Sequence, residues 1–293
     1  MKPKGKVLII GGSEDRGSEN TPDMKGLGKE YQNFEILKEL LPSGGSKKKI
    51  IIVSTASSVP DEMNEMYSKA FGELGFKSLE FVDIKTKEEA ADPRYGDMVA
   101  DAHAVFFTGG DKFSLAATLG GTEFIQCIRD KFNHDPDFVV AGTSAGAMAM
   151  SRIMIAQGGI HEALLKDDLR ITSGLGIFDT CIIDTHFVKR GRFGRLSNAI
   201  IMNPEALGIG LGEDTALIIR NGEEAECRGS GAVIVIDGQA IRQTNIAEAA
   251  DDEALYVENL IVHILAKGCR FSVKNREFVK PARKFSRQAS ANN

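Results

Sequence analysis

Cysteine is scarce and scattered: Cys127, Cys181, Cys227 and Cys269 stand far apart, with no CxxC pair. Such spacing excludes the dense disulfide framework of a small secreted scaffold and predicts reduced thiols in a cytoplasmic protein. Long apolar runs are absent as well. In the opening MKPKGKVLIIGGSEDR the apolar stretch stops at a glycine pair after four residues, too short for a signal peptide or for the roughly 20 residues of a membrane span. No His or Cys grouping has metal-ligand spacing, so neither a metal nor a cofactor is expected. Nor does any repeat, low-complexity tract or linker rich in Pro, Gly or Ser divide the 293 residues. One domain over residues 1–293 is therefore the expectation.

What is present is ordinary globular material. Hydrophobic residues make up 42% and charged residues 26% of the chain, enough for a sizeable core and too apolar for disorder. The net charge of −5 is unevenly spread, because residues 270–293 carry seven Lys/Arg against one Glu. We read this basic C-terminal extension as a solvated end that packs on an acidic body. Nucleic acid is not an expected partner, since Phe271, Phe278 and Phe285 form no recognisable stacking array.

Five β-branched runs alternate with amphipathic stretches in the first half: KVLIIGG (6–12), KKIIIVSTAS (48–57), KSLEFVDI (77–84), AVFFTGG (104–110) and DFVVAGTS (137–144). Helices are expected near 29–41, 61–73, 86–101 and 112–132, and a further one from Ala145 through AGAMAMSRIMIA. Near-continuous apolar strands separated by helices predict an α/β fold with a mostly parallel sheet covered on both faces. Further on, residues 180–184 read as a strand and 192–203 as a helix. GIGLGEDTALIIRNGEEAECRGSGAVIVIDGQAIR then reads as a β-meander with NG, GSG and DG turns, and 253–267 as a last helix.

Reactive groups in such a sheet gather beyond the carboxyl ends of the strands. Ser144 stands there, within Gly142-Thr143-Ser144-Ala145-Gly146, the pattern Gly-x-Ser-x-Gly in which a sharp strand-to-helix turn lifts a serine above the sheet. The pentapeptide alone leaves two readings open, a nucleophile and a serine that merely N-caps its helix. A nucleophilic serine needs a base and oxyanion donors. Of the five histidines, His186 directly follows a strand, in CIIDTHFVKRGRFGRL, whereas His263 lies in the expected last helix, His134 and His161 in loops, and His103 at the amino end of a strand. Glu213 and Asp214, in GIGLGEDTALII, are candidates to orient the base, as against a plain acidic turn. The order Ser144, Asp214, His263 is the rival arrangement, matching the α/β-hydrolase sequence of residues. The amide of Ala145 and one from Gly109-Gly110, with Gly110 preferred, are candidate oxyanion donors.

Taken together, IIGGSEDR, TASS, FFTGGD, GTSAGA, DTHF with RGRFGRL, and GLGEDTAL, spread in this order over residues 5–240, resemble the cyanophycinase family of serine peptidases, relatives of peptidase E. The resemblance implies a class I glutamine amidotransferase-like (flavodoxin-like) sandwich, a Ser144-His186-Glu213 triad and a homodimer. It also implies a serine exopeptidase that trims cyanophycin, a polyaspartate bearing arginine on each β-carboxyl, into β-Asp-Arg dipeptides through an acyl-enzyme. Asp184, Arg190, Arg192 and Arg195 carry over as substrate-binding residues, suited to a substrate with both carboxylates and guanidiniums. Where the family often has glutamine, this chain has Lys112 (or Phe113) and Thr185, which alters the polar groups offered to substrate and makes Lys112 a further binding candidate. Two other functions stay open: a peptidase E-like dipeptidase acting on Asp-X or isoaspartyl peptides, and a non-catalytic nucleotide-binding module suggested by IIGGSEDRG, which lacks Gly-x-Gly-x-x-Gly spacing.

Overall fold

The computed structural model describes residues 2–17, 32–42, 48–159 and 163–279. In chain order the elements are β1 (Lys6–Ile10), β2 (Lys49–Val53), α1 (Pro60–Glu73), β3 (Leu79–Val82), α2 (Arg94–Asp101), β4 (Ala102–Phe107), α3 (Lys112–Leu119), α4 (Glu123–His134), β5 (Val139–Thr143) and α5 (Ala145–Ala149). There follow β6 (Ile153–Gln157), β7 (Arg170–Ser173), β8 (Cys181–Asp184), α6 (Phe193–Met202), β9 (Leu207–Leu211), β10 (Thr215–Arg220), β11 (Glu224–Gly229) and β12 (Val233–Asp237). The last are β13 (Gln243–Thr244), β14 (Val257–Glu258), β15 (Ile261–Leu265), β16 (Arg270–Ser272) and β17 (Glu277–Phe278).

The large sheet has nine strands in the order β17-β16-β11-β10-β1-β5-β4-β2-β3. Five of them, β1, β5, β4, β2 and β3, are mutually parallel, and β10, β11, β16 and β17 extend the sheet antiparallel. Burial explains the apolar runs. Along β1, Val7 and Ile9 enter one core while Leu8 and Ile10 enter the other, beside Tyr67 and Phe71 of α1. Both faces are covered, so the strands read as continuous rather than alternating. A second sheet, β15-β12-β9-β8, stands beside the first.

Several expectations need correction. The meander is divided between the sheets: β9 and β12 pair in the second, β10 and β11 in the first. The chain therefore crosses from one sheet to the other at Gly212-Glu213-Asp214. The stretch 112–132 is two helices, parted at Gly120-Gly121, with Thr122 capping α4 through the Ile125 amide, a cap the sequence displays. Region 86–101 is a 3-10 turn followed, after Pro93, by α2. Of 29–41, the described part holds a turn and a 3-10 helix, Leu37–Leu40, and residues 29–31 lie outside the described residues. His134 closes α4 rather than sitting in a loop.

Two errors share a cause, tertiary pairing overriding local pattern. The helix from Ala145 stops at Ala149 because the next carbonyls are captured: Leu175 N–H donates to Ala149 O (2.7 Å) and Ile177 N–H to Met150 O (3.0 Å). Residues 153–157 then pair with β7. The last expected helix is strand, since Ile261–Leu265 pairs with β12 in register. Its near-continuous IVHIL satisfies either period, and β-branched Ile261, Val262 and Ile264 favour the strand.

Candidate active site

The site is assembled at the carboxyl end of β1. Ser144 N–H donates to Ile10 O (3.1 Å), His186 N–H to Gly11 O (2.9 Å), and Asp214 N–H to Gly12 O (2.9 Å). Three consecutive carbonyls thus hold the serine turn, the end of β8 and the crossing that carries Glu213. Glu213 reaches the site because it sits where the chain changes sheets.

Ser144 has φ 51° and ψ −116° and its side chain caps nothing. That conformation is strongly disfavoured for a residue with a Cβ, and the capping alternative is excluded. The turn is tight enough that a Cβ on Gly146 would lie 2.3 Å from Phe107 O, so only glycine fits there. The Gly109-Gly110 turn lies alongside, a Cβ at Gly109 falling 3.5 Å from Ser144 Cβ. Among the described residues, neither the Gly110 nor the Ala145 amide has a backbone acceptor.

Ser144 Oγ lies 2.9 Å from His186 Nε2, and His186 Nδ1 lies 2.7 Å from Glu213 Oε1. A carboxylate can only accept, so Nδ1 carries the proton and Nε2 is left to accept from the hydroxyl. The other Glu213 oxygen accepts from Lys189 Nζ at 2.8 Å. Burial pulls the His186 pKa below its ordinary value; Arg190 and Arg192 add to this while Glu213 opposes it. For Glu213, burial acts upward but the hydrogen bonds from Lys189 and His186 prevail, leaving its pKa below the usual carboxylate value. The resting pair is thus a neutral imidazole beside a carboxylate, which is the state a general base requires.

The rival arrangement does not form. Both Asp214 oxygens are taken, one by the Asp15 amide (3.0 Å) and one by Ser230 Oγ (2.7 Å). His263 packs instead against the rings of Phe271 and Phe278, at 5.2 and 5.7 Å between centroids.

The charged cluster lies directly behind His186. Asp184 is fully buried and accepts from Arg195 Nε at 2.6 Å and Nη2 at 2.5 Å, a two-point pairing, and from Arg192 Nη1 at 3.2 Å. Arg192 also donates to Thr185 O at 2.7 Å. Lys112, half-buried, lies near enough to feel the charges of this group. Burial and then the charges of Arg195 and Arg192 lower its pKa, with Asp184 opposing. Arg190 is exposed. Asp184 and Arg195 therefore satisfy each other, while Lys112 and Arg192 keep only part of their surface open.

Some residues at the site have no signal of their own in the sequence. Gly12 backs onto the imidazole, and Lys189 grips Glu213. Glu14, almost fully buried, accepts from Thr143 Oγ1 and Tyr67 Oη, each at 2.6 Å, and so braces the residue before Ser144. IIGGSE marks Gly12 and Glu14 only as part of a motif.

Residues 24–227 match Peptidase family S51. The chain belongs to that family. It is a serine-type peptidase, a hydrolase, and the nucleotide-module alternative falls. Its relatives in sequence include the cyanophycinase of Geminocystis herdmanii (strain PCC 6308), 35% identical over 94% of this chain and 96% of the relative. The cyanophycinase of Trichormus variabilis (strain ATCC 29413 / PCC 7937) is 32% identical over 97% of this chain and 90% of its own. In fold, this S51 peptidase is similar to a peptidase from an acI-B1 Actinobacterium, with a TM-score of 0.63 at 21% identity over 92% of this chain and 96% of that one. Among the described residues, no helix is long and apolar enough to cross a membrane.

Proposed function

We propose that this S51 peptidase is a cyanophycinase whose catalytic residues are Ser144, His186 and Glu213. The observation that carries the reading is the unbroken relay from Ser144 Oγ through both nitrogens of His186 to Glu213, at 2.9 and 2.7 Å. Ser144 Oγ attacks the scissile carbonyl as His186 Nε2 takes its proton. Glu213 holds the tautomer and stabilises the imidazolium that forms. The amides of Gly110 and Ala145, free of backbone acceptors among the described residues, receive the oxyanion, an interaction whose loss typically costs about 3 kcal/mol in serine hydrolases. As the tetrahedral intermediate collapses, Nε2 returns the proton to the departing amine. Water, activated by the same nitrogen, then hydrolyses the acyl-enzyme.

The substrate follows from the relatives and the charges. A multi-arginyl polyaspartate presents a carboxylate at each unit, and the exposed Arg190 with the half-buried Lys112 and Arg192 suits it. Asp184 and Arg195 act through Arg192, which they hold in place. We further propose a class I glutamine amidotransferase-like, flavodoxin-like architecture in one domain, supported by the five parallel strands with the serine turn at the end of β5. A cytoplasmic homodimer completes the proposal.

Mass spectrometry of products after incubation with purified cyanophycin tests the reading. β-Asp-Arg dipeptide from the wild type and none from Ser144→Ala is the expected result. Hydrolysis of Asp-X dipeptides with cyanophycin left intact would instead assign a peptidase E-like activity.

A further inference from the structure

Cys227 and Cys269 are far apart in sequence, and the mechanism uses neither. The register of β11 with β16 runs Glu224 opposite Ser272, Ala225 opposite Phe271 and Glu226 opposite Arg270. Its next step places Cys227 opposite Cys269. Two further bonds fix that step: Cys227 N–H donates to Cys269 O (3.0 Å), and Gly268 N–H donates to Cys227 O (2.8 Å). Gly268, with φ 78°, turns the chain here so that Cys227 faces the pair Gly268-Cys269 in the manner of a glycine bulge. Both sulfurs belong to one apolar cluster, Cys227 inside it and Cys269 packed at its margin.

We propose that Cys227 and Cys269 form a reversible thiol–disulfide site that staples the C-terminal β16–β17 hairpin to β11. Directly opposed residues of a regular antiparallel ladder have Cα atoms roughly 4.5–5.5 Å apart; the bond from Cys227 N–H to Cys269 O holds the bulged pair near that spacing, and a disulfide spans roughly 4.4–6.8 Å. The two thiols differ in access. Cys227 is fully buried, and burial, with the nearby Cys269 sulfur, pushes its thiol up to about 12. Cys269 is partly exposed and reacts first. Its thiolate attacks one sulfur of a small-molecule disulfide such as oxidised glutathione, forming a mixed disulfide and releasing one small thiol. Cys227 Sγ then attacks Cys269 Sγ, its proton passing to the departing small thiolate, so that the second small thiol is released. Two protein thiols are oxidised by two electrons, and the small disulfide is reduced to two thiols.

The experiment uses the full chain carrying Cys127→Ser, which removes the partly exposed thiol on α4. After exposure to oxidised glutathione and blocking of free thiols, intact mass should show the loss of two hydrogens without a retained adduct. Peptide mapping should show Cys227 linked to Cys269, and dithiothreitol should reverse the bond. Adding Cys227→Ser should instead trap one glutathione on Cys269. If that double variant does not fold, the linked peptide from the Cys127→Ser protein still decides the question. A stable glutathione adduct in the Cys127→Ser protein, or two unmodified thiols after prolonged exposure, would overturn the proposal.

Discussion

A Cβ placed on Gly12 would sit 2.5 Å from both Cε1 and Nε2 of His186. The backbone of the first strand's exit turn is therefore the wall against which the imidazole rests, on the side of the nitrogen that meets Ser144. Gly12 also has φ 97°, which penalises any side chain in its own right. Gly12→Ala should displace the ring and lower kcat by about 100-fold, the cost of a misplacement near 1 Å. Steady-state kinetics beside a circular dichroism spectrum test this, and an unaltered kcat would refute the wall.

Ser144 is held in a conformation that costs on the order of 1–3 kcal/mol. Ser144→Gly should abolish hydrolysis yet raise stability by about 1 kcal/mol, because the strain disappears faster than the backbone entropy cost of glycine accrues. Thermal unfolding reads this directly. A lower melting temperature than wild type would show that the turn is not strained.

The pH profile follows from His186. Its neutral form is the base, so kcat/KM rises as pH climbs through its pKa and is lost as pH falls below it. Burial first, and then Arg190 and Arg192, lower that pKa. The acidic limb should therefore have its midpoint below the ordinary histidine value of about 6.5. Arg190→Gln removes a cation that disfavours the imidazolium, so the limb should move to higher pH. A shift toward lower pH, or none, would contradict this account of the electrostatics.

Glu213 has two oxygens with unequal duties. The oxygen on His186 fixes the tautomer, and Glu213→Gln should lower kcat by about 10⁴-fold, as loss of an orienting carboxylate does elsewhere. The other oxygen meets Lys189, whose side chain is 70% exposed. Exposed pairs contribute about 0–1 kcal/mol, so Lys189→Met should cost no more than about 5-fold in kcat. Comparable losses from the two substitutions would show that Lys189 takes part in the reaction itself.

Asp184 and Arg195 form a buried pair. Asp184→Asn leaves two arginines without their common carboxylate and should destabilise the fold by about 3–5 kcal/mol. That corresponds to a fall of roughly 10 °C in melting temperature. A variant that melts with the wild type would leave this cluster without a structural role.

The first half of the fold was legible because its strands are buried on both faces and announce themselves as β-branched runs. Ser144 and His186 were legible for a related reason, each standing where such a run ends, whereas Glu213 was one of two adjacent acids until family likeness chose it; the structure places His186 within hydrogen-bonding distance of both Ser144 and Glu213. The short α5 was not, because the captors of its carbonyls, Leu175 and Ile177, lie a whole hairpin away. β15 was not, because IVHIL suits two periods, and only pairing with β12 selects one. The contacts of Gly12 and Lys189 were hidden for the same reason as α5, since each depends on a neighbour that only tertiary structure supplies. Family likeness supplied the roles of Asp184, Arg192 and Arg195, but not that the first and last neutralise one another.

The carbonyls of Ile10, Gly11 and Gly12 each secure one segment of the site through main-chain atoms alone. Such moorings are indifferent to which side chains surround them. Side chains near the site, Lys112 among them, can vary without loosening the reactive groups from their common anchor. Diversification of specificity and preservation of chemistry are, in this architecture, separable tasks.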